Sequence, residues 1–471
     1  MNQPAELATG KVVDSIQQRL TDYAYGLNYD DLTPDAIHTA KLRVIDTLGA
    51  LIGGFFTEPC RIARNLAAGL SIPNGATVIG TQLKTTPDMA AFVNGTTARY
   101  AEMNDIYHQP GSFHGHPSDV ITPVIAVAEH AKSNGPDLIT GIVLAYEIFL
   151  RFSDIFQNHG YDHTNFCCVG TAAAAGKLLG LSPVELSHCI SMAVVPNNIL
   201  KQVRQGRLSM WKAVASGYAG RAGIFAALLA RAGMQGPHLP FEGKAGWCDH
   251  IARKRFSFDI MGGNGSPFKI LDTRTKSRPS CGETISSILA AEKVAPIRNI
   301  HEVKRVTVEV YKRANKEVTR ASDKQWQRHP DSRETADQSL PYVVAATLID
   351  GTVTLRSFNE SSLWNRERRA LMEKIEIVTN DEFTKAFERS PIQHRTRVTV
   401  VTENGERFVG ESGGDDDDPM SQKSDAQIID KFRSVTEDYL GSKRVNSILD
   451  RLWHIDEIPN IAEILPALTL V

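Results

Sequence analysis

Gly170-Thr171-Ala172-Ala173-Ala174-Ala175-Gly176 is the stretch on which the fold turns. Small residues follow one another without a bulky side chain, so a helix here lets neighbouring helix axes approach closely. A second segment of the same kind runs from Ala213 to Ala232. Both fit central helices buried in a compact all-helical body. The flanking sequence agrees. Thr33-Pro34-Asp35 supplies a capping hydroxyl, a Pro at the first helical position and an acid near the positive helix end. Ile37, Ala40, Val44, Leu48 and Leu51 then recur at helical spacing. Ser182-Pro183-Val184-Glu185 is a capping box that opens a helix through Ile190 and Ala193. Residues 11–235 therefore read as helix after helix.

The pattern changes after about residue 267. Val306, Val308 and Val310 alternate with Thr307 and Glu309, as a half-buried strand does. Arg397 to Thr402 leads into Glu403-Asn404-Gly405-Glu406 and then Arg407-Phe408-Val409, and Asn-Gly between two strand-like runs is a strong hairpin signal. Helical stretches lie before and between these strands, at Thr284 to Lys293 and Leu340 to Leu348. A smaller α+β domain is therefore expected at 268–411. Gly413-Gly414-Asp415-Asp416-Asp417-Asp418-Pro419 follows. It lacks the spaced ligands and closing Glu of a calcium loop and reads as a solvated linker. Helical segments from Ser424 to Val435 and from Arg444 to Leu452 close the chain and are free to return to the first domain.

Composition narrows the function. The 52 Lys and Arg against 54 Asp and Glu leave a net charge of −2 over 471 residues. Such balance disfavours a coat for nucleic acid or an anionic membrane, but leaves room for a local basic pocket. Six cysteines with no C-x-x-C pair argue against a zinc knuckle, a redox dithiol or a disulfide scaffold, and fit a reducing compartment. Met1 to Gly10 lacks a signal-peptide pattern, and no uninterrupted apolar run is long enough to span a bilayer. The expectation is a soluble cytoplasmic protein. P-loop and G-x-S-x-G patterns are absent, and Gly262-Gly263-Asn264-Gly265 follows no clear strand. ATP, a dinucleotide and a serine-hydrolase triad all lose weight.

Chemistry concentrates between Glu102 and Asp119, where acids, His108, His114 and His116 and several Pro and Gly residues replace the helical period. Three readings stand open here. His114-x-His116 could be half of a metal site, although no second ligand pair is near. His116 or Glu102 could do acid–base work. Both could simply satisfy structural hydrogen bonds. Tyr161-Asp162-His163-Thr164 poses the same choice between a capping histidine and a reactive one. Lys201-Gln202-Val203-Arg204-Gln205-Gly206-Arg207, with Lys212 and Arg221, is either a solvated basic stretch or, if it converges on a pocket, a grip for carboxylates.

Glu102-Met103-Asn104-Asp105-Ile106-Tyr107 followed by Gly115-His116-Pro117-Ser118-Asp119 resembles the D-F-N-D-T-W…G-H-P-S-D signature of the MmgE/PrpD family. Asp162-His163 with Gly170 to Leu181 is similar to that family's D-H…A-A-A-x-x-L-G-L block. Gly217 to Ala230, Lys276-Ser277-Arg278-Pro279-Ser280-Cys281 and Asp337 to Ala345 resemble further blocks in the same order. Together these span about residues 10–440. The resemblance implies a mainly α protein: a large helical domain from 1–267 and 412–471, with a smaller α+β lid at 268–411. It implies a homodimer with no cofactor and the active site between the domains. It implies catalytic roles for Glu102, His116, His163 and Tyr342, substrate-binding roles for Asp105, Arg221 and Lys276, and no metal. The implied activity is a lyase acting on a small di- or tricarboxylate, most like dehydration of 2-methylcitrate. Decarboxylation of cis-aconitate and epimerisation of an imino- or amino-dicarboxylate are the alternatives within the family. A non-catalytic helical binding protein would instead scatter these residues. Glu102 stands where the family often has Asp, Ile106 replaces a Thr, Arg278 replaces a Tyr and Ile285 replaces a frequent His, so the lid side of the pocket is expected to differ.

Overall fold

Thr33 accepts a hydrogen bond from the Ala36 amide at 3.2 Å, and Pro34 starts the helix that follows. Side-chain caps of the same kind also start the helices that begin at Ser15, Gly135 and Pro183. The computed structural model describes residues 13–156, 159–319, 328–414, 418–419 and 421–471. Its longer early helices are α1 (Ser15–Gly26), α2 (Pro34–Gly54), α3 (Glu58–Ala68), α4 (Pro87–Tyr100) and α5 (Ile121–Ala131). Then come α6 (Gly135–Ile155), α7 (Thr164–Leu178), α8 (Pro183–Val194) and α9 (Trp211–Arg231). The α8 capping box at Ser182 and Glu185 is present.

The two small-residue helices lie at the centre. Helix α7 packs on α6 and α9, and α9 packs on α4. A Cβ on Gly217 of α9 would lie 2.4 Å from the Phe92 carbonyl oxygen, so the α4–α9 approach requires glycine there. By length and composition α9 could cross a membrane, but 61% of its apolar window is buried in this core. The all-helical expectation missed one element. A two-stranded ribbon pairs β1 (Ser71–Thr77) with β2 (Lys84–Thr85). Pro73, Asn74 and Gly75 give β1 no apolar alternation, and its partner is only two residues long, so no period announces it.

The smaller domain is α+β. It contains α10 (Gly282–Glu292), β3 (Val303–Val310), α11 (Lys312–Thr319), α12 (Leu340–Asp350), α13 (Arg366–Met372), β4 (Ile375–Thr379), α14 (Asp381–Glu388), β5 (Thr396–Thr402) and β6 (Arg407–Ser412). The sheet order is β4-β3-β5-β6, with β3 parallel to β4 and antiparallel to β5. Val306 faces Val400 and Val308 faces Val398, which buries one face under the helices. The β5–β6 hairpin turns at Asn404-Gly405, where Gly405 has φ +88°. Helices α15 (Asp425–Leu440) and α16 (Ser442–Trp453) return to the helical core, with α15 packed on α2. Apolar residues gather in two main cores. One runs from Ile16 to Ile270 and from Ile428 to Leu468, the other from Ile288 to Val400. Asp415, Asp416 and Asp417 lie outside the described residues. Asp418 is not solvated as a linker acid would be: it is buried and accepts from the His394 amide at 2.7 Å.

Candidate active site

Helix α4 ends at Tyr100, and Glu102 then adopts φ +54°, a left-handed conformation that a non-glycine residue adopts at a cost. That turn points the Glu102 carboxylate inward. The loop beyond it is pinned twice: Ile106 bonds the Arg274 backbone, and Tyr107 bonds that of Gly115. A Cβ on Gly115 would meet Phe149 at 3.0 Å and the Cβ of His163 at 3.2 Å, so the loop closes only with glycine there. His163 stands just before α7. Asp162 fixes that corner by accepting from Thr164 at 2.9 Å and from Arg204 at 2.9 Å.

Glu102 is surrounded by cations. Its oxygens lie 2.7 Å from Lys276 Nζ, 3.0 Å from Lys212 Nζ and 2.8 Å from an Arg99 nitrogen. Burial alone would raise the Glu102 pKa, but Arg99, Lys212 and Lys276, with His116, outweigh it and hold the carboxyl well below its ordinary value. Glu102 is therefore an anion at neutral pH and has no proton to give. Burial and the Arg99 charge depress the Lys276 ammonium in turn, against the pull of Glu102.

His116 faces this cluster. Its Nδ1 lies 2.7 Å from the Asp105 carbonyl oxygen and its Nε2 lies 4.0 Å from Glu102 Oε1. A carbonyl can only accept, so Nδ1 carries the proton and the Nε2 lone pair is available. Burial, then the Arg99 and Lys276 charges, hold the His116 pKa well below 6.5, so the ring is a neutral base at pH 7. The His163 ring lies 5.3 Å from that of His116 in a T-shaped arrangement. Its two nitrogens stand 3.5 Å from Asp119 and 3.6 Å from Asp162. Burial lowers the His163 pKa despite these acids. His114 lies 5.8 Å from His116, ring to ring, and among the described residues no three His, Cys, Asp or Glu side chains group as a metal-ligand set. The Cys281 thiol is pushed up to about 11 by burial and by Glu283, so it stays protonated.

These groups border a cavity of about 560 Å³ between the two cores. Glu102, His116, His163, Arg99 and Lys212 line it from the helical side, and Cys281, Glu283, Arg313 and Gln338 from the α+β side. Lys276 reaches it through Glu102.

Three expected site residues lie elsewhere. The Asp105 carboxylate turns into the helical core, where it accepts from the Ser118 amide and from Tyr146, both at 2.9 Å. It buttresses the loop, and its pKa is raised to about 6 by burial against the Arg43 charge. Arg221 is on the outer side of α9, 43% exposed, and pairs with Asp88 at 3.2 Å. Tyr342 is buried in the core of the smaller domain, where its hydroxyl donates to the Ser357 carbonyl at 2.6 Å and accepts from Arg368. Two departures from the family pattern also miss the cavity. Arg278 pairs with Glu292 at 2.6 Å beside a second cavity, and Ile285 is fully buried.

Other residues fill those places. Arg204 and Lys212 come from the basic stretch, whose spacing gave no sign of which members converge, whereas Arg207 faces outward and pairs with Asp331. Arg99 was legible only as a cation three residues before Glu102. Asp119 carried a signal as the last residue of the G-H-P-S-D motif. Nothing in the sequence pointed to Arg313.

The chain matches the MmgE/PrpD N-terminal domain over residues 18–259 and the MmgE/PrpD C-terminal domain over residues 279–455. It is 25% identical over 466 residues to a cis-aconitate decarboxylase of Homo sapiens, covering 95% of this chain and 93% of that one. It is 26% identical over 412 residues to a 2-methylcitrate dehydratase of Salmonella typhimurium, covering 82% of each. A mitochondrial 2-methylcitrate dehydratase of Yarrowia lipolytica is 26% identical over 397 residues, 79% of this chain and 74% of that one.

Proposed function

We propose, on the premise that the chain belongs to the MmgE/PrpD family, that it is a lyase that dehydrates a small tricarboxylate of the 2-methylcitrate type by side-chain acid–base chemistry. The observation that carries this reading is the His116 tautomer: a neutral ring whose Nε2 lone pair faces a cation-lined cavity. His116 Nε2 takes the proton from the carbon beside a carboxylate. The electron pair left behind forms the double bond as the β-hydroxyl departs. His163 serves as the acid in its protonated form, which Asp119 and Asp162 favour against burial, and that imidazolium gives the hydroxyl its proton so that water leaves. Lys212 and Arg204 stabilise the charge that builds on the substrate carboxylates. Glu102 keeps Arg99, Lys212 and Lys276 together. The test is ultraviolet absorbance of the new conjugated double bond, followed with 2-methylcitrate and with citrate. No change with either sinks the dehydratase reading.

One observation favours a second reading within the same chemistry. The cis-aconitate decarboxylase match covers 95% of this chain, more than either dehydratase match described above. Carbon dioxide release from cis-aconitate, with no dehydration of either citrate, would establish that reading instead.

The chain is further proposed to act as a homodimer in a reducing, cytoplasmic setting. Trp211, Tyr218 and Phe225 recur every seventh residue on α9 and are 47%, 42% and 52% exposed, an apolar stripe suited to a second copy. All six cysteines are free thiols, as a reducing compartment keeps them. A sedimentation mass of one chain would contradict the dimer.

A further inference from the structure

Arg313, on α11, borders the cavity from the α+β side. Its Nε lies 3.0 Å from Glu283 Oε1, and its Nη1 lies 3.1 Å from His108 Nε2. A guanidinium can only donate, so His108 Nε2 must accept. A neutral His108 then carries its proton on Nδ1, which lies 3.4 Å from His394 Nε2. That nitrogen accepts in turn, so the His394 proton sits on Nδ1, 3.2 Å from Asp418 Oδ1. The other Asp418 oxygen accepts the His394 amide at 2.7 Å. Starting from Arg313, each tautomer is determined by the previous partner and the series ends on an acid. Burial, then the Arg313 charge, hold the His108 pKa well below 6.5, which keeps the ring neutral as this pattern requires. Glu283 is fixed separately by a hydrogen bond from Tyr311.

The arrangement crosses between the two cores. His108 belongs to the loop that carries Glu102 and His116, whereas Arg313 and His394 belong to the α+β side. On the helical side Arg99 and Lys212 hold Glu102, Arg204 holds Asp162, and Lys201 lies over the Phe113 ring. Arg313 faces the cavity beside Glu283, a carboxylate that would repel an anionic ligand unless a cation covers it.

We propose that Arg313 grips a substrate carboxylate from the α+β side of the cavity, and that His108, His394 and Asp418 are positioning residues that fix its guanidinium. The proposal rests on the polycarboxylate reading given above. It assigns to this series the selection of a ligand with a third carboxylate over one with two. Fixing a long side chain in advance lowers the entropy lost when it closes on a ligand, and a planar fork suits a carboxylate better than an ammonium does.

The experiment is calorimetric titration of the full chain with tricarballylate, which has three carboxylates and no hydroxyl to lose, and with glutarate, which has two. The parent chain should prefer tricarballylate. Arg313→Met should weaken tricarballylate binding roughly 10- to 100-fold and erase that preference. His394→Phe keeps the ring packing against Tyr311 and Phe387 but removes both hydrogen bonds. It should raise KM about three- to tenfold, with kcat within about twofold. If the parent chain neither binds nor turns over any polycarboxylate, the proposed function fails and this inference with it. Binding by the parent that Arg313→Met leaves intact overturns the inference alone. Loss in Arg313→Met with an unchanged KM in His394→Phe overturns the positioning half.

Discussion

Replacing His116 by Asn lowers kcat by roughly 100- to 10,000-fold on the substrate that the wild-type chain turns over, the range set by loss of a positioned general base. The variant isolates the base. Asn retains an N–H that can donate to the Asp105 carbonyl, now 2.7 Å from the imidazole, but it has no basic lone pair. The loop should therefore stay in place, and KM should move far less than kcat. A wild-type pH profile supplies the second readout. His116 works unprotonated, and its pKa is held well below 6.5 by burial and the cations beside it. Activity in kcat/KM should therefore persist as pH falls through 6.5 and decline only at more acid values. An acid limb at or above 6.5, or an unchanged kcat in His116→Asn, removes His116 from the role of base.

What the sequence made legible was local. Helix starts at Thr33 and Ser182 were visible because a cap involves residues three apart, and the β5–β6 hairpin because Asn404-Gly405 specifies its turn. The Glu102–Asp119 stretch was visible because it breaks a helical period. Which cation meets the cavity was not, since Arg221 and Lys212 share α9 and stand nine residues apart, two and a half turns, which places them on opposite sides. Only the packing of α9 against α4 and α7 decides which side is inward. Tyr342 lies on a helix whose apolar face fills a core, and its hydroxyl is satisfied by Ser357 and Arg368 within that core. Asp418 reads as one of four equivalent acids until the fold brings His394, 24 residues earlier in the chain, against it. Arg313 illustrates the limit most plainly, because both of its partners lie far away in sequence or on another element.

Glu102→Gln should be the most destabilising single substitution in the site, by roughly 3–5 kcal/mol, the range found when one partner of a buried ion pair is removed. The reason is what remains. Arg99, Lys212 and Lys276 stay buried around a neutral amide, with their mutual repulsion no longer balanced. Asp337, 2.5 Å from Lys212, and Asp119, 3.9 Å from Arg99, relieve two of the three only in part. Lys276 is left with the Glu102 and Ser280 carbonyls, at 3.2 and 3.1 Å, and among the described residues no other carboxylate pairs with it. Adding Lys276→Met should therefore restore stability relative to Glu102→Gln alone, because the least compensated cation is the one removed. The pH dependence gives the sign independently. The folded Glu102 pKa lies well below its ordinary 4.5, so its contribution is fully present above about pH 4.5 and is lost as pH falls toward the folded value. Denaturant midpoints of wild type and Glu102→Gln should consequently differ most at neutral pH and converge on acidification. A gap that stays constant from neutral to acid pH, or a double variant less stable than Glu102→Gln, would show that Glu102 holds the site together by shape rather than by charge.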